Sequence, residues 1–178
     1  MVTATLSRDI PLSDFLQNPI ERMEWVNGEL VEITGMTLRH GEIQSKLSYY
    51  WRSYLDSDQQ GGKVYTEAPC RTSQQVRRPD VAYLPPDLVA QYGNEAVLPQ
   101  SFPLIAEIVS PADEAEALFV KAQEYLSSGC LEVWLVFPDS QWVLIATPAQ
   151  LLGFMSGSIV STQNAISGFS LEIAKLFG

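Results

Sequence analysis

An α/β fold, with a mixed central sheet flanked by helices and an N-terminal β-hairpin, is the architecture this sequence predicts. Three observations predict it. Leu104–Pro138 reads as strand, helix, strand. His40–Asp58 repeats apolar residues at three- and four-residue steps, the mark of an amphipathic helix. Asn27-Gly28 separates two short strand-like runs, the strongest short signal for a two-residue hairpin turn. At 178 residues and 46% hydrophobic, residues 1–178 form one expected domain, with a core large enough to fold without staples.

Composition narrows the classes of function. The only cysteines are Cys70 and Cys130, which lack CxxC spacing. With no signal peptide ahead of them, they are expected to be packing residues of a reduced, cytoplasmic protein. No apolar stretch approaches the roughly 18 residues of a membrane span, so no membrane partner is expected. The net charge of −10 speaks against broad electrostatic capture of nucleic acid. Arg71, Arg77 and Arg78 fall close together, either as one local basic patch or as solvated strand ends.

Taken in order, residues 1–11 lack periodicity and read as a loose or extended arm. Ser13–Gln17 suits a short helix capped by Ser13, with Pro19 just beyond it. The Asn27-Gly28 turn pairs Val26 with Glu29, Trp25 with Leu30 and Glu24 with Val31. Glu24 then shares a face with Val26, Val31 and Ile33, and points inward or stays an exposed strand carboxylate. In the helix of His40–Asp58 the repeating residues are Ile43, Leu47, Tyr50, Trp51, Tyr54 and Leu55, and Gly61-Gly62 ends it. His40, the sole histidine, stands near its start.

Lys63–Glu67 and a segment near Pro69–Ser73 read as strands, and Asp80 opens a strand over Val81–Leu84. Pro79, which has no N–H for a ladder, suits the entry. Asp87–Ser101 is a connection with a helical turn near Leu88–Tyr92. Leu104–Val109 has the composition of a buried strand, and a helix follows over about Asp113–Ser128, stopped by Gly129. Its apolar stripe is Ala115, Leu118, Phe119, Ala122, Tyr125 and Leu126, with Lys121 just beyond the Tyr125 edge. Glu132–Phe137 and Gln141–Ala146 form an antiparallel hairpin around Pro138–Ser140. Trp134 and Trp142 read as sheet packing. A short strand near Ser158–Thr162 and a helical turn near Leu171–Phe177 close the chain.

Glu107 is the charge that most needs explaining. It lies among Leu104, Ile105, Ala106, Ile108 and Val109, where an ionised carboxylate costs several kcal/mol unless compensated. Asp80 at a neighbouring strand's start and Lys121 on the following helix stand out beside it. Two such carboxylates can hold a hard divalent cation such as magnesium, which prefers oxygen ligands and keeps several waters. A nearby ammonium can then stabilise developing negative charge. Structural roles stay open at each position. Asp80 can cap a turn, Glu107 can be neutral or paired with an arginine, and Lys121 can snorkel along the core.

The stretches RRPDVAYLPPD and PLIAEIVSPADEAEALFVKAQEYLSSGCLEVWLVFPD resemble the PD-(D/E)XK restriction-endonuclease-like superfamily. Within it they resemble the Uma-two family, a domain of unknown function grouped with endonucleases. MEWVNGELVEI, His40 and the closing GFSLEIAKLF extend the likeness over nearly the whole chain. The resemblance implies a restriction-endonuclease-like fold and a magnesium-dependent endonuclease that hydrolyses DNA phosphodiester bonds, manganese substituting. It makes Asp80 the aspartate of the Pro-Asp pair and Glu107 the acid of the (D/E)XK element, both as metal ligands. The lysine expected two residues after that acid is replaced by Val109, and Lys121 on the next helix resembles its substitute. Glu24 resembles an auxiliary acid that can add a metal contact, and His40 matches a family histidine without an assigned role. DNA is the implied partner, and a homodimer the expected assembly. The competing expectation is a catalytically inactive nuclease-fold binding or assembly module.

Overall fold

The structure, a computed structural model, describes Thr5 and Leu6, residues 10–111 and residues 113–178. Thr5–Leu6 forms β1, so part of the expected arm is a strand; residues 1–4 and 7–9 of that arm lie outside the described residues. Leu12–Gln17 is α1, and the hairpin strands are Met23–Val26 (β2) and Glu29–Glu32 (β3). Pro11, not Ser13, stands at the N-cap of α1, and the Ser13 hydroxyl donates to Asp14 instead. Asn27 and Gly28 hold φ of 53° and 93°, the positive values that a primed two-residue turn demands. The register follows from that turn: Val26 faces Glu29, Trp25 faces Leu30 and Glu24 faces Val31. Glu24 thus points inward and is buried.

Leu38–Ser57 is α2, whose N-cap Thr37 accepts a hydrogen bond from the His40 N–H at 3.1 Å. The helix ends at Ser57, ahead of Gly61-Gly62. Then come Lys63–Thr66 (β4), Cys70–Arg71 (β5), Val76–Arg77 (β6) and Val81–Leu84 (β7), followed by helix Pro86–Tyr92 (α3). Leu104–Ile108 (β8), Ala115–Ser127 (α4) and Glu132–Phe137 (β9) form the expected strand, helix, strand unit. Trp142–Ala146 (β10), Leu151–Phe154 (β11), Ile159–Ser161 (β12), Ser170–Glu172 (β13) and Ile173–Phe177 (α5) complete the described elements.

A six-stranded sheet runs β11-β10-β9-β8-β7-β4. The β8–β9 pair is parallel and the other neighbours are antiparallel, which makes the central sheet mixed. β8 is buried on both faces, so it reads as an almost continuous apolar run. On one face α2 brings Ile43, Leu47, Trp51 and Leu55 against Val81, Leu104, Ala106 and Val136. Trp51 meets Trp134 edge to face at 5.7 Å, an arrangement worth about 0.5–1.5 kcal/mol beyond area burial. On the other face Ala122 and Tyr125 of α4 cover Ala82, Ile105 and Leu135. Trp134 is core, but Trp142 is 45% exposed and packs only in part.

The hairpin belongs to a separate sheet ordered β1-β3-β2-β6-β5, and β12 pairs with β13 alone. Cys70 and Cys130 are buried free thiols, as expected of packing residues, and burial pushes Cys130 up to about 12. Among the described residues, no helix is long and apolar enough to cross a membrane.

Candidate functional site

The two carboxylates singled out in the sequence meet at one end of the sheet. Val81 of β7 pairs with Ala106 of β8, the last pair of that ladder, and Asp80 and Glu107 are the next residue on either side. Both line the same cavity. Asp80 lies at the ladder's end, so the Ile108 N–H donates to its Oδ2 at 2.6 Å. Its Oδ1 lies 3.1 Å from Nε2 of His40, in the first turn of α2.

Glu107 meets α4. Lys121 and Tyr125 stand one helical turn apart and so reach the same patch of sheet. The Tyr125 hydroxyl donates to Glu107 at 2.7 Å, and Lys121 Nζ lies 3.1 Å from the same carboxylate. That ammonium also lies 3.1 Å from Glu24. Glu24 accepts further bonds from the Arg78 N–H and from Arg77 Nη1, both at 3.0 Å. Arg77 then forks onto Glu124 through Nε and Nη2. Charges alternate along Glu107, Lys121, Glu24, Arg77 and Glu124, and this ladder ties the hairpin sheet to α4.

The Arg78 guanidinium is taken up by the carbonyls of Met23, Glu67 and Ile20. Arg77 and Arg78 therefore face inward, and the local basic patch suggested by Arg71, Arg77 and Arg78 does not form as a cluster of free cations.

Burial dominates the titration of the site. It pushes Glu107 up to about 7; Lys121 opposes it, while the charges of Asp80 and Glu24 add to it. Burial acts the same way on Glu24, but Lys121 and Arg77 outweigh it and hold that carboxyl below its ordinary value. For Lys121, burial favours the neutral amine, yet Glu107 and Glu24 keep it well above its usual range. His40 is also raised, because the contact with Asp80 exceeds the cost of burial.

A raised carboxyl binds its proton more tightly folded than unfolded. The stability contributed by Glu107 is full below about 4.5 and is lost as pH rises through about 7. Glu24 has the opposite sign, its contribution being lost as pH falls below its ordinary 4.5. In chelator-treated protein, wild type is expected to lose about 2 kcal/mol relative to Glu107→Gln between mildly acidic and mildly alkaline pH. Urea unfolding of both proteins measures this; parallel pH profiles would refute the assignment.

Asp80, Glu107, His40, Glu24 and Lys121 line a cavity of about 40 Å³. That volume admits a small ion with a few waters, since one water needs roughly 10–15 Å³. Among the described residues no three His, Cys, Asp or Glu side chains cluster as a metal-ligand set. Two carboxylates on one small cavity suit magnesium, which commonly takes one or two carboxylates and keeps its remaining waters. The fit rests on the burial of both side chains at that cavity, where a cation would offset the burial of Glu107 and its repulsion from Asp80. A wider cleft of about 570 Å³ adjoins the cavity, running from Arg77 and Lys121 past Asp113 to the exposed Glu114 and Glu116.

All four residues chosen from the sequence, Glu24, Asp80, Glu107 and Lys121, line this one cavity. Sequence reasoning missed Tyr125, which it counted as apolar stripe, and the Arg77–Glu124 fork. Their only signals were the spacing of Glu124 and Tyr125 from Lys121 on one helix, and an Arg-Arg pair beside Pro79-Asp80.

The crystal structure of a "putative nuclease belonging to DUF820" from Anabaena variabilis ATCC 29413 shares the fold at a TM-score of 0.82. Its sequence identity is 23%, over 94% of this chain and 97% of that one. No curated protein matches the chain. The Uma2 family model, described as "Putative restriction endonuclease", matches residues 9–174, nearly the whole sequence, and the chain belongs to that family.

Proposed function

We propose that the protein is a magnesium-dependent endonuclease that hydrolyses DNA phosphodiester bonds. The observation that carries the reading is the buried pair Asp80 and Glu107 on one small cavity, with the Lys121 ammonium 3.1 Å from Glu107. Asp80 and Glu107 would hold the metal, with manganese able to substitute. The bound ion would polarise a phosphoryl oxygen and acidify water.

The chain's own residues do the rest. Lys121 places a fixed positive charge where negative charge develops on a phosphoryl group, and its bond to Glu24 stops it from collapsing wholly onto Glu107. Glu24 already accepts from Arg77, Arg78 and Lys121, so it serves as the anchor of the lysine more than as a free ligand. Tyr125 holds one oxygen of Glu107 through its hydroxyl. We place the enzyme in the cytoplasm as a homodimer.

The test is cleavage of supercoiled, linear and single-stranded DNA with magnesium or manganese. Wild type is expected to cut at least one form, and Asp80→Asn none. Wild type that cuts no DNA form would overturn the reading.

A second reading, a nuclease-fold module without catalysis, is favoured by one observation. The Lys121 ammonium already bridges Glu24 and Glu107, and the adjoining cleft ends on acidic Glu114 and Glu116, which repel an anionic strand. That reading requires intact folding with neither cleavage nor metal binding.

A further inference from the structure

His40 is the only histidine in the chain, and the residue is 6% exposed. Three contacts fix its place. Its backbone N–H is bonded by the Thr37 hydroxyl at the start of α2, its Nε2 lies 3.1 Å from Asp80 Oδ1, and its ring borders the cavity shared with Glu107. Asp80 as a carboxylate can only accept, so Nε2 carries the proton of that bond. Among the described residues, Nδ1 is buried without a protein partner. A ring held only for packing has no need to bury an unpaired nitrogen, which costs about 1–3 kcal/mol.

We infer that His40 is a positioning residue for Asp80, an assignment that rests on the metal-site reading above. Two donors reach the Asp80 carboxylate: the ring N–H of His40 on one oxygen and the Ile108 N–H, at 2.6 Å, on the other. They come from different layers of the fold, α2 and β8. Together they hold the carboxylate by both oxygens, each of which keeps a second lone pair, on a side chain that lines the cavity shared with Glu107. The Ile108 bond alone leaves the carboxylate free to pivot about one oxygen. His40 removes that freedom, just as outer hydrogen bonds orient carboxylates that hold metals.

Side-chain geometry gives a discriminating pair of variants. The amide nitrogen of Gln can occupy the place of Nε2 and donate to Asp80, whereas the shorter Asn reaches only the place of Nδ1. Calorimetric titration with Mn²⁺ alone is expected to show His40→Gln within about threefold of wild type. His40→Asn is expected to weaken binding by about 10–100-fold, the range typical of such outer contacts. If Asn and Gln variants bind equally, the inference falls while the metal site stands. If wild type itself binds no Mn²⁺, both the inference and the metal reading fall.

A measurement without a variant guards against misfolding. With ¹⁵N-labelled histidine, the single ring is expected at alkaline pH as the tautomer protonated at Nε2. Protonation at Nδ1 would remove the bond to Asp80 and overturn the assignment.

Discussion

Arg77→Ala is expected to lower the unfolding free energy by about 3–5 kcal/mol, the largest stability loss of any single change in the site. The guanidinium satisfies Glu24 at 3.0 Å and forks onto Glu124, and all three side chains are largely buried. Its removal leaves Glu124 without its cation and Glu24 with Lys121 alone, both in a poorly solvated place. Unfolding by heat is expected to shift by several degrees to about 15 °C for a chain of this length. Arg77→Lys restores a point charge but not the fork, so it is expected to recover only part of the loss. A shift below about 2 °C for Arg77→Ala would show that the ladder is not what ties the hairpin sheet to α4. Both variants need only a melting curve.

Lys121→Met is expected to lower cleavage by about 10²–10³-fold, the usual cost of removing one group aimed at developing charge. Methionine keeps much of the apolar stem, so the side of α4 that covers the sheet stays filled. Without the ammonium, only the Tyr125 hydroxyl still opposes the burial of Glu107 and the repulsion from Asp80 and Glu24, and its carboxyl rises further above about 7. Metal-dependent cleavage by this variant is therefore expected to need higher pH than wild type. Steady-state rates across pH separate the two effects. Equal rates and equal profiles for wild type and Lys121→Met would remove the lysine from the reaction.

The hairpin register was legible to the residue, because Asn27-Gly28 admits few turns and a two-residue turn leaves one pairing. Glu107 was legible as a central, buried carboxylate because a strand covered on both faces has no ordinary place for one. The second sheet was not legible. β5 and β6 are two residues each, and the sole pairing of β6 with the hairpin sets Val76 beside Trp25, some fifty positions earlier. Such pairings depend on tertiary contact and leave no local period to read. The same holds for His40 and Asp80, forty residues apart and joined only because α2 begins over the end of the ladder. Arg77 misled for a physical reason. A pair of arginines in a sequence looks like surface charge until its carboxylate partners, Glu24 and Glu124, are seen to converge from a strand and a helix.

The central claim is that Asp80 and Glu107 share one divalent cation. Anomalous diffraction from Mn²⁺-soaked crystals tests it most directly. The account predicts one peak at coordination distance, roughly 2–2.4 Å, from oxygens of both carboxylates, with Lys121 still directed at Glu107. A soaked crystal with no peak there, or with a peak touching only one of the two carboxylates, would contradict it.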